Sequence, residues 1–318
     1  MRKSQFIFVL MLSTSFATMA RADDTSSYAN CDAAEKGNCE QIGTSGIYYA
    51  LSGDPGNKTM TIYGTKGSES TAATVPSYVF LTNDFPEGIT SLKTSGNVNI
   101  RNEAFISATN LTSVDLTGVK TIGYGAFASA TNLTSANLTG VETIGQQAFH
   151  GATGLTSVDL TGVQTIGQAA FQGARSLTSV DLTGVQTIGD SAFYNATGLT
   201  SVVISDSLLD SNGNILGYSC DVNNVCAGIY SSAFEGSGLN TIYCPKGKTC
   251  GNSFTGLSGT LKTIPYSIDE NGQIKAGGKT YASLDDLASG KHIPKRIYTI
   301  EEANEVAGEV NTIRIRYR

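Results

Sequence analysis

Phenylalanine returns every 22 residues through the middle of this 318-residue chain, at Phe105, Phe127, Phe149, Phe171 and Phe193. The period is carried by whole segments. Four units follow one another in register: LTSVDLTGVKTIGYGAFASATN from Leu111, LTSANLTGVETIGQQAFHGATG from Leu133, LTSVDLTGVQTIGQAAFQGARS from Leu155 and LTSVDLTGVQTIGDSAFYNATG from Leu177. A fifth begins at Leu199 and stops after Ile204. A weaker unit precedes them on Ile89, Leu92, Gly96, Ile100 and Phe105, and another follows on Ile229 to Phe234. Self-similarity at one fixed short period confines a chain to stacked coils, because no single unit has a second face to pack against.

Each unit has a readable inside and outside. Val114 and Leu116 alternate with Ser113, Asp115 and Thr117, the period of a half-buried strand. Val119 and Ile122 continue the inward set, and Gly118 and Gly123 fall where a turn is expected. Ala126, Phe127 and Ala130 place one large ring and two small side chains in a return segment. Twenty-two residues give room for one strand and a tight return, not for a long helix. The entropy of ordering one coil exceeds what its few apolar side chains recover, so neighbours must supply the rest. The expected fold class is therefore a leucine-rich-repeat solenoid, a parallel β ladder of 22-residue repeats with small mixed α/β caps at both ends.

The pattern L-x-x-V-x-L-x-x-V-x-x-I-G-x-x-A-F-x-x-A resembles the BspA-like, or Treponema-type, leucine-rich repeats of bacterial surface proteins. Its I-G-x-x-A-F core starts at Ile122, Ile144, Ile166 and Ile188. The resemblance spans about 89 to 265. Gly46 to Leu51 followed by Lys58 to Gly64 is similar to the hairpin that often precedes such repeats. Thr-Gly-Val stands after the strand where many relatives carry proline. The resemblance implies a secreted or surface-exposed product, and for several members a role in adhesion to host proteins.

The flanks divide the chain further. Residues 1–22 read as a signal peptide: Arg2 and Lys3, an apolar run from Phe6 to Leu12, and Ala20-Arg21-Ala22 as the small-x-small cleavage site. Residues 23–88 read as an N-terminal cap with a hairpin around Asp54 to Asn57. The repeats occupy 89–265 and are interrupted within 205–228, because Phe193 and Phe234 stand 41 residues apart, a repeat plus 19. Residues 266–318 read as a small α/β region. It has a hairpin over Asn271-Gly272, a short helix opened by Ser283 and ended by Gly290, and a second helix opened at Thr299. It finishes in the basic, alternating Ile313 to Arg318. No later segment is apolar enough for a transmembrane span, so the expected location is the cell surface or the medium, with the periplasm as an alternative.

Six cysteines fall in three close pairs, Cys31 with Cys39, Cys220 with Cys226 and Cys244 with Cys250. In an oxidising compartment these read as disulfide-closed loops, although six cysteines permit 15 connectivities. Zinc spacing is absent and only His150 and His292 are available, so no metal and no cofactor is expected. His150 stands where other units carry Ala128 and Gln172, and reads as exposed variation. Asp210 to Asn214 is similar to the start of a calcium loop, but glycine stands fourth instead of sixth and the closing glutamate is missing.

The net charge of −6 disfavours nucleic acid as a partner, which requires a basic footprint. No nucleophile elbow, metalloprotease helix or phosphate loop is seen, so an enzyme is not expected. What converges is three polar columns on the expected strand face: Ser113, Ser135, Ser157 and Ser179; Asp115, Asn137, Asp159 and Asp181; Thr117, Thr139, Thr161 and Thr183. They form the candidate ligand strip, suited by hydrogen bonding to extracellular proteins or glycans. The alternatives are a solubilising surface on a structural envelope spacer, and, from the threonine array, ice binding. The Asn-Leu-Thr triplets at Asn110, Asn132 and Asn137 match a glycosylation acceptor but arise by repetition.

Overall fold

A computed structural model describes residues 39–41, 48–63, 73–75, 88–223, 225–251, 254–257 and 259–292. The expected signal peptide at 1–22, Cys31 and therefore the Cys31/Cys39 pairing, and the segment from 293 to 318 lie outside the described residues.

The repeats coil into a parallel β-solenoid. A first ladder runs along one side: β5 (Ile89–Ser95), β7 (Ser113–Asp115), β9 (Ser135–Asn137) and β11 (Ser157–Asp159), then β13 (Ser179–Asp181), β15 (Ser201–Val203), β18 (Thr241–Pro245) and β19 (Lys262–Ile268). Pairing keeps the repeat register, with Ser113 opposite Ser135 and Ser135 opposite Ser157. A second ladder runs along another side: β4 (Ala73–Val75), β6 (Val98–Ile100), β8 (Val119–Ile122), β10 (Thr143–Ile144), β12 (Thr165–Ile166), β14 (Thr187–Ile188), β17 (Cys226–Ile229) and the short β16 (Ser219–Cys220). The sequence reading of one strand per coil was thus too few. Val119 and Ile122 do point inward, but the residues between them also hydrogen-bond to the next coil. The β-branched Thr-Ile pair suffices for a two-residue strand once neighbours template it.

The third side has no strand among the described residues, yet its backbone is laddered as well. Phe127, Phe149, Phe171 and Phe193 each donate an amide to an alanine carbonyl of the following coil, at 2.7 to 2.8 Å. Buried backbone groups are thus met by neighbouring coils. Inside, six phenylalanines from Phe105 to Phe234 stack with ring centroids 5.2 to 5.3 Å apart and planes within 9°. The column runs unbroken across the insertion, since Phe193 stacks directly on Phe234. Leu116, Val119, Ile122 and their equivalents fill the rest of the core and are buried.

Two glycines of each unit serve different ends. Gly118 has φ +91 and makes the turn after the strand. Gly123 and its equivalents lack a positive φ. A Cβ at Gly145 would stand 2.6 Å from the Ile122 carbonyl oxygen, and one at Gly167 would stand 2.7 Å from the Gln146 nitrogen. Close stacking of coils, not the turn expected from the sequence, demands glycine there.

The ends are closed by antiparallel strands. At the start, β1 (Cys39–Gln41) pairs β2 (Tyr48–Asp54), which turns through Pro55-Gly56 into β3 (Asn57–Tyr63), and β3 pairs β5 in parallel. At the other end, β19 turns into β20 (Ile274–Ala276) and β21 (Lys279–Tyr281). The helix α1 (Leu284–Ser289) follows. Ser283 caps it by accepting from the Asp286 amide at 3.0 Å, and Gly290 ends it in the left-handed conformation, as the sequence predicts. The helix folds back over β13 and β15, where Ser201 donates its hydroxyl to the Ala288 carbonyl at 2.6 Å. Leu287 and Ala288 join Val203, Tyr266, Ile274 and Tyr281 in a second small core.

Candidate functional site

The strand residues of the first ladder project one polar row outward on each side of a buried central residue. Val114, Ala136, Val158 and Val180 are buried, while Ser113, Asp115, Ser135, Asn137, Asp159, Ser179 and Asp181 are half-buried and Ser157 is exposed. Thr117, Thr139, Thr161 and Thr183 are exposed just past the strands. The twelve residues therefore stand in columns along one side of the solenoid.

Local hydrogen bonding accounts for much of their chemistry. Each Asp or Asn accepts through Oδ1 from the amide two residues on: Thr117 to Asp115 at 3.3 Å, Thr139 to Asn137 at 3.0 Å, Thr161 to Asp159 and Thr183 to Asp181 at 2.9 Å. This is an Asx turn that closes the strand and leads into the glycine. Coils are then stitched side chain to side chain. Asn137 donates Nδ2 to Asp115 at 3.1 Å, and the Thr139 hydroxyl donates to Asp159 at 3.0 Å. A threonine one step earlier repeats the theme, with the hydroxyls of Thr112, Thr134, Thr156 and Thr200 donating to carbonyls of the preceding coil.

Where α1 leans over the ladder, a groove of about 600 Å³ forms. Its floor is the Ser and Asp/Asn columns from Ser91 to Asp181 with Leu92, Val114, Ala136 and Val158 between them, and its wall carries Asp285, Asp286, Ser289 and Lys291. Lys93 and Asp115 stand further along the floor. The threonine column lies outside the groove, so two of the three predicted columns share it. The sequence reading missed Lys93, which is in register with Asp115, and the whole wall. One sequence signal pointed to the wall: Val203 stands in register with Asp181, an apolar residue at a polar position, because α1 covers it.

The carboxyls of the groove differ in acidity. At Asp159 burial works upward, but hydrogen bonds from the Thr161 amide and hydroxyl and the Thr139 hydroxyl outweigh it and hold the group below its ordinary value. At Asp181 deeper burial wins over the bonds from Thr183, helped by the nearby Asp159 charge, and the group is raised. Asp285 is raised by burial and by the charges of Asp181, Asp159 and Asp286. The result is a groove whose carboxylates gather at the helix end, with Lys291 on the same wall, and whose other cation, Lys93, stands towards the far end.

The insertion projects separately. Asp210 accepts from the Asn212 and Asn214 amides, which shapes a turn at Asn212-Gly213. Cys220 and Cys226 form a disulfide across β16 and β17, and Cys244 and Cys250 form another whose sulfurs are buried against the main core. The local pairing preference holds for both. Tyr218 and Tyr230 stack at 4.0 Å beside the insertion. His150, in the return segment, is half-buried instead of exposed. Among the described residues no group of three or more His, Cys, Asp or Glu is placed to hold a metal ion, and no helix is long and apolar enough to cross a membrane.

Comparison with known proteins places these coils in a lineage. The family model of the BspA type leucine rich repeat region matches in six copies, over residues 98–220 and 142–262, together more than half of the chain. No curated protein sequence matches. Among solved structures, the leucine rich repeat protein of T. pallidum is 23% identical, with 61% of this chain and 77% of that one aligned and a TM-score of 0.40. The pneumococcal vaccine antigen PcpA is 15% identical over 71% and 70% of the two chains, TM-score 0.43. A leucine rich cell surface protein from Faecalibacterium prausnitzii is 20% identical over 80% and 61%, TM-score 0.37. Six matched copies of the repeat, with their phenylalanines in one stack, make this chain a member of the BspA-type leucine-rich repeat family.

Proposed function

We propose that the protein is exported and acts as a surface-exposed or secreted, adhesin-like binding module whose ligand, an extracellular protein or a glycan, lies in the groove between the first ladder and α1. The observation that carries this reading is the groove itself. Its floor alternates serines, aspartates and Asn137 with the apolar Leu92, Val114, Ala136 and Val158, and is walled on one side by a helix that the sequence folds back onto it. A long, hydrogen-bonding trough suits an extended chain, polypeptide or polysaccharide, better than a compact small molecule. The leader at 1–22 supports export, and so does the use of disulfides at Cys220–Cys226 and Cys244–Cys250.

The test is a screen of the purified mature protein against immobilised matrix proteins and glycans. Asp115, Asp159 and Asp181 are then replaced together by asparagine. Asn137 already makes the same turn, so this variant keeps the fold and removes the charge. Any hit that uses the groove weakens by about tenfold or more when it loses charged hydrogen bonds. Unchanged affinity removes the columns from the site. Protease shaving of intact cells, compared with the culture supernatant, tests the location.

A second reading, a structural envelope spacer without a specific ligand, draws support from the Asx turns. They give the Asp/Asn column a purpose within the fold. High abundance on cells with no saturable binding favours it.

A further inference from the structure

The Asp/Asn column holds one pair of carboxylates in adjacent coils. By repeat position it reads Lys93, Asp115, Asn137, Asp159, Asp181, Val203, with strand pairing fixing the register from Lys93 to Asp159 and again from Asp181 to Val203. Asn137 separates Asp115 from Asp159 and bonds to the first, while Thr139 bonds to the second. Between Asp159 and Asp181 there is no such neutral spacer.

The first ladder breaks at that junction. Strands β5 to β11 form one continuous sheet and β13 to β19 another, and β11 does not pair with β13. On one side of the junction the Thr156 amide donates to Thr134 at 2.9 Å and Leu138 to Asp159 at 3.2 Å. On the other side Thr200 donates to Thr178 and Leu182 to Val203, both at 2.9 Å. The corresponding bonds from Thr178 to Thr156 and from Leu160 to Asp181 are not made. The same two coils remain joined elsewhere. Thr165 pairs with Thr187 in the second ladder, Phe171 donates to Ala192 at 2.7 Å, and the Phe171 and Phe193 rings keep the 5.3 Å spacing. The loss of pairing is therefore local to the face that carries the two carboxylates, where β11 and β13 still lie side by side.

We propose that the Asp159–Asp181 pair is a charge hinge: ionised together, the two carboxylates hold the first ladder open between the third and fourth full coils, and neutralising either one lets it close. Like charges in directly neighbouring strand positions destabilise the pairing that would bring them together. The surroundings add to the repulsion. Asp285 and Asp286 in the first turn of α1 line the same groove, and α1 packs on β13. The cations in the groove are Lys93 at its far end and Lys291 beyond the helix. Tyr266 of β19 feels the Asp181 and Asp206 charges and donates its hydroxyl to the Ile204 carbonyl. His292 stands near Tyr281 on β21. None of these groups forms an ion pair with Asp159 or Asp181 among the described residues.

The order of titration follows from the two environments. Asp181 is held above its ordinary value and Asp159 below, so a falling pH protonates Asp181 first while Asp159 keeps its charge. One proton is enough, because a protonated Asp181 can donate where two carboxylates can only accept. A group with a raised folded-state value binds its proton more tightly in the folded protein. Closure is thus gained as pH falls through the raised Asp181 value and is absent at neutral pH. The hinge lies in the floor of the groove but does not depend on the groove having a ligand.

Amide hydrogen exchange on the full mature chain reads the hinge directly. Peptides covering 156–161 and 178–183 are compared with those covering 134–139, with rates corrected for intrinsic chemistry, at about pH 7 and about pH 4. At neutral pH the junction amides should exchange about tenfold faster than their equivalents, and the difference should shrink in acid. In Asp159→Asn and in Asp181→Asn the difference should vanish already at neutral pH. Asp115→Asn, whose neighbour is already neutral, should leave it unchanged. Equal exchange at all three places in the unaltered chain at neutral pH overturns the proposal. So does a difference that survives in acid, or in both asparagine variants, which would assign the opening to the helix. The comparison of the two pH values needs no variant, so a poorly folding substitution leaves it intact.

Discussion

The phenylalanine column inside the coils and the Asp/Asn column outside them share one period but obey different rules. Inside, the residue never changes from Phe105 to Phe234, even where 41 residues separate two members. Outside, the position runs through Lys93, Asp115, Asn137, Asp159, Asp181 and Val203. Each ring from Phe127 to Phe193 has a ring stacked above and below, 5.2 to 5.3 Å between centroids, so a smaller residue in any of these coils leaves a void shared with two others. The outer position needs only an acceptor for the amide two residues on, which Asp and Asn supply equally. Where α1 covers it, even that need gives way to an apolar contact. Repetition on the surface of a solenoid therefore reports first on how the coil turns, and a ligand has to be argued from the groove.

The sharpest way to break this contrast is Phe149→Ala. The ring is fully buried between Phe127 and Phe171. A void of that size should cost about 3–5 kcal/mol, read from chemical denaturation of the purified protein. A loss under about 1 kcal/mol would mean that the coils collapse around the gap and that the inner column is as permissive as the outer one. Gly167→Ala comes next. A Cβ there meets the Gln146 nitrogen at 2.7 Å and the Gly145 carbonyl carbon at 2.8 Å, both backbone atoms that cannot swing aside. The expected loss is about 1–3 kcal/mol, and an unchanged melting temperature would show that coil spacing is softer than the stack implies.

These two substitutions also mark how far the sequence could be read. The coil, its inward residues and the polar columns were legible because burial and exposure alternate visibly within each 22-residue unit. The second ladder was not, because two-residue strands such as Thr143–Ile144 carry no periodicity of their own and exist only by pairing with neighbours. The purpose of Gly123 and its equivalents was misjudged, since a turn glycine and a close-approach glycine look alike in sequence. The groove wall was hidden for a third reason. Residues 284–289 announce a helix through Ser283 and Gly290, but where that helix docks is decided by Val203, Tyr266 and Tyr281, far away in the chain. The Asx turn was available in the Asp-x-Thr spacing at Asp115, Asp159 and Asp181 and is the signal that would have moderated the ligand strip.

On the outer column, Asp115→Ala should cost about 1 kcal/mol, because the Thr117 amide and hydroxyl both lose their acceptor and Asn137 loses a cross-coil partner. Asp115→Asn should fall within about 0.5 kcal/mol of the parent, as Asn137 makes the same turn one coil further on. If the asparagine variant were as damaged as the alanine one, the charge at this position would matter to the fold, and the reading of the column as a set of turn acceptors would fail.

The smallest effect is expected at Thr161→Ala. The side chain is exposed and outside the groove, and the bond that closes its turn comes from the backbone amide, 2.9 Å from Asp159, which alanine retains. Only the hydroxyl is lost, so the stability change should stay under about 0.5 kcal/mol. The lost hydroxyl has one electrostatic consequence. It is among the donors that hold Asp159 below its ordinary value, after the opposing effect of burial and the bond from the same residue's amide. Its removal should let the Asp159 titration, followed by carboxyl chemical shifts, move upward. Stability conferred by that depressed group is present above its unfolded value and is lost as pH falls through the folded one, so a smaller depression narrows the acid range over which Asp159 supports the fold. A melting shift at neutral pH as large as that of Phe149→Ala would erase the distinction between the two columns, because a hydroxyl in water would then weigh as much as a ring in the core.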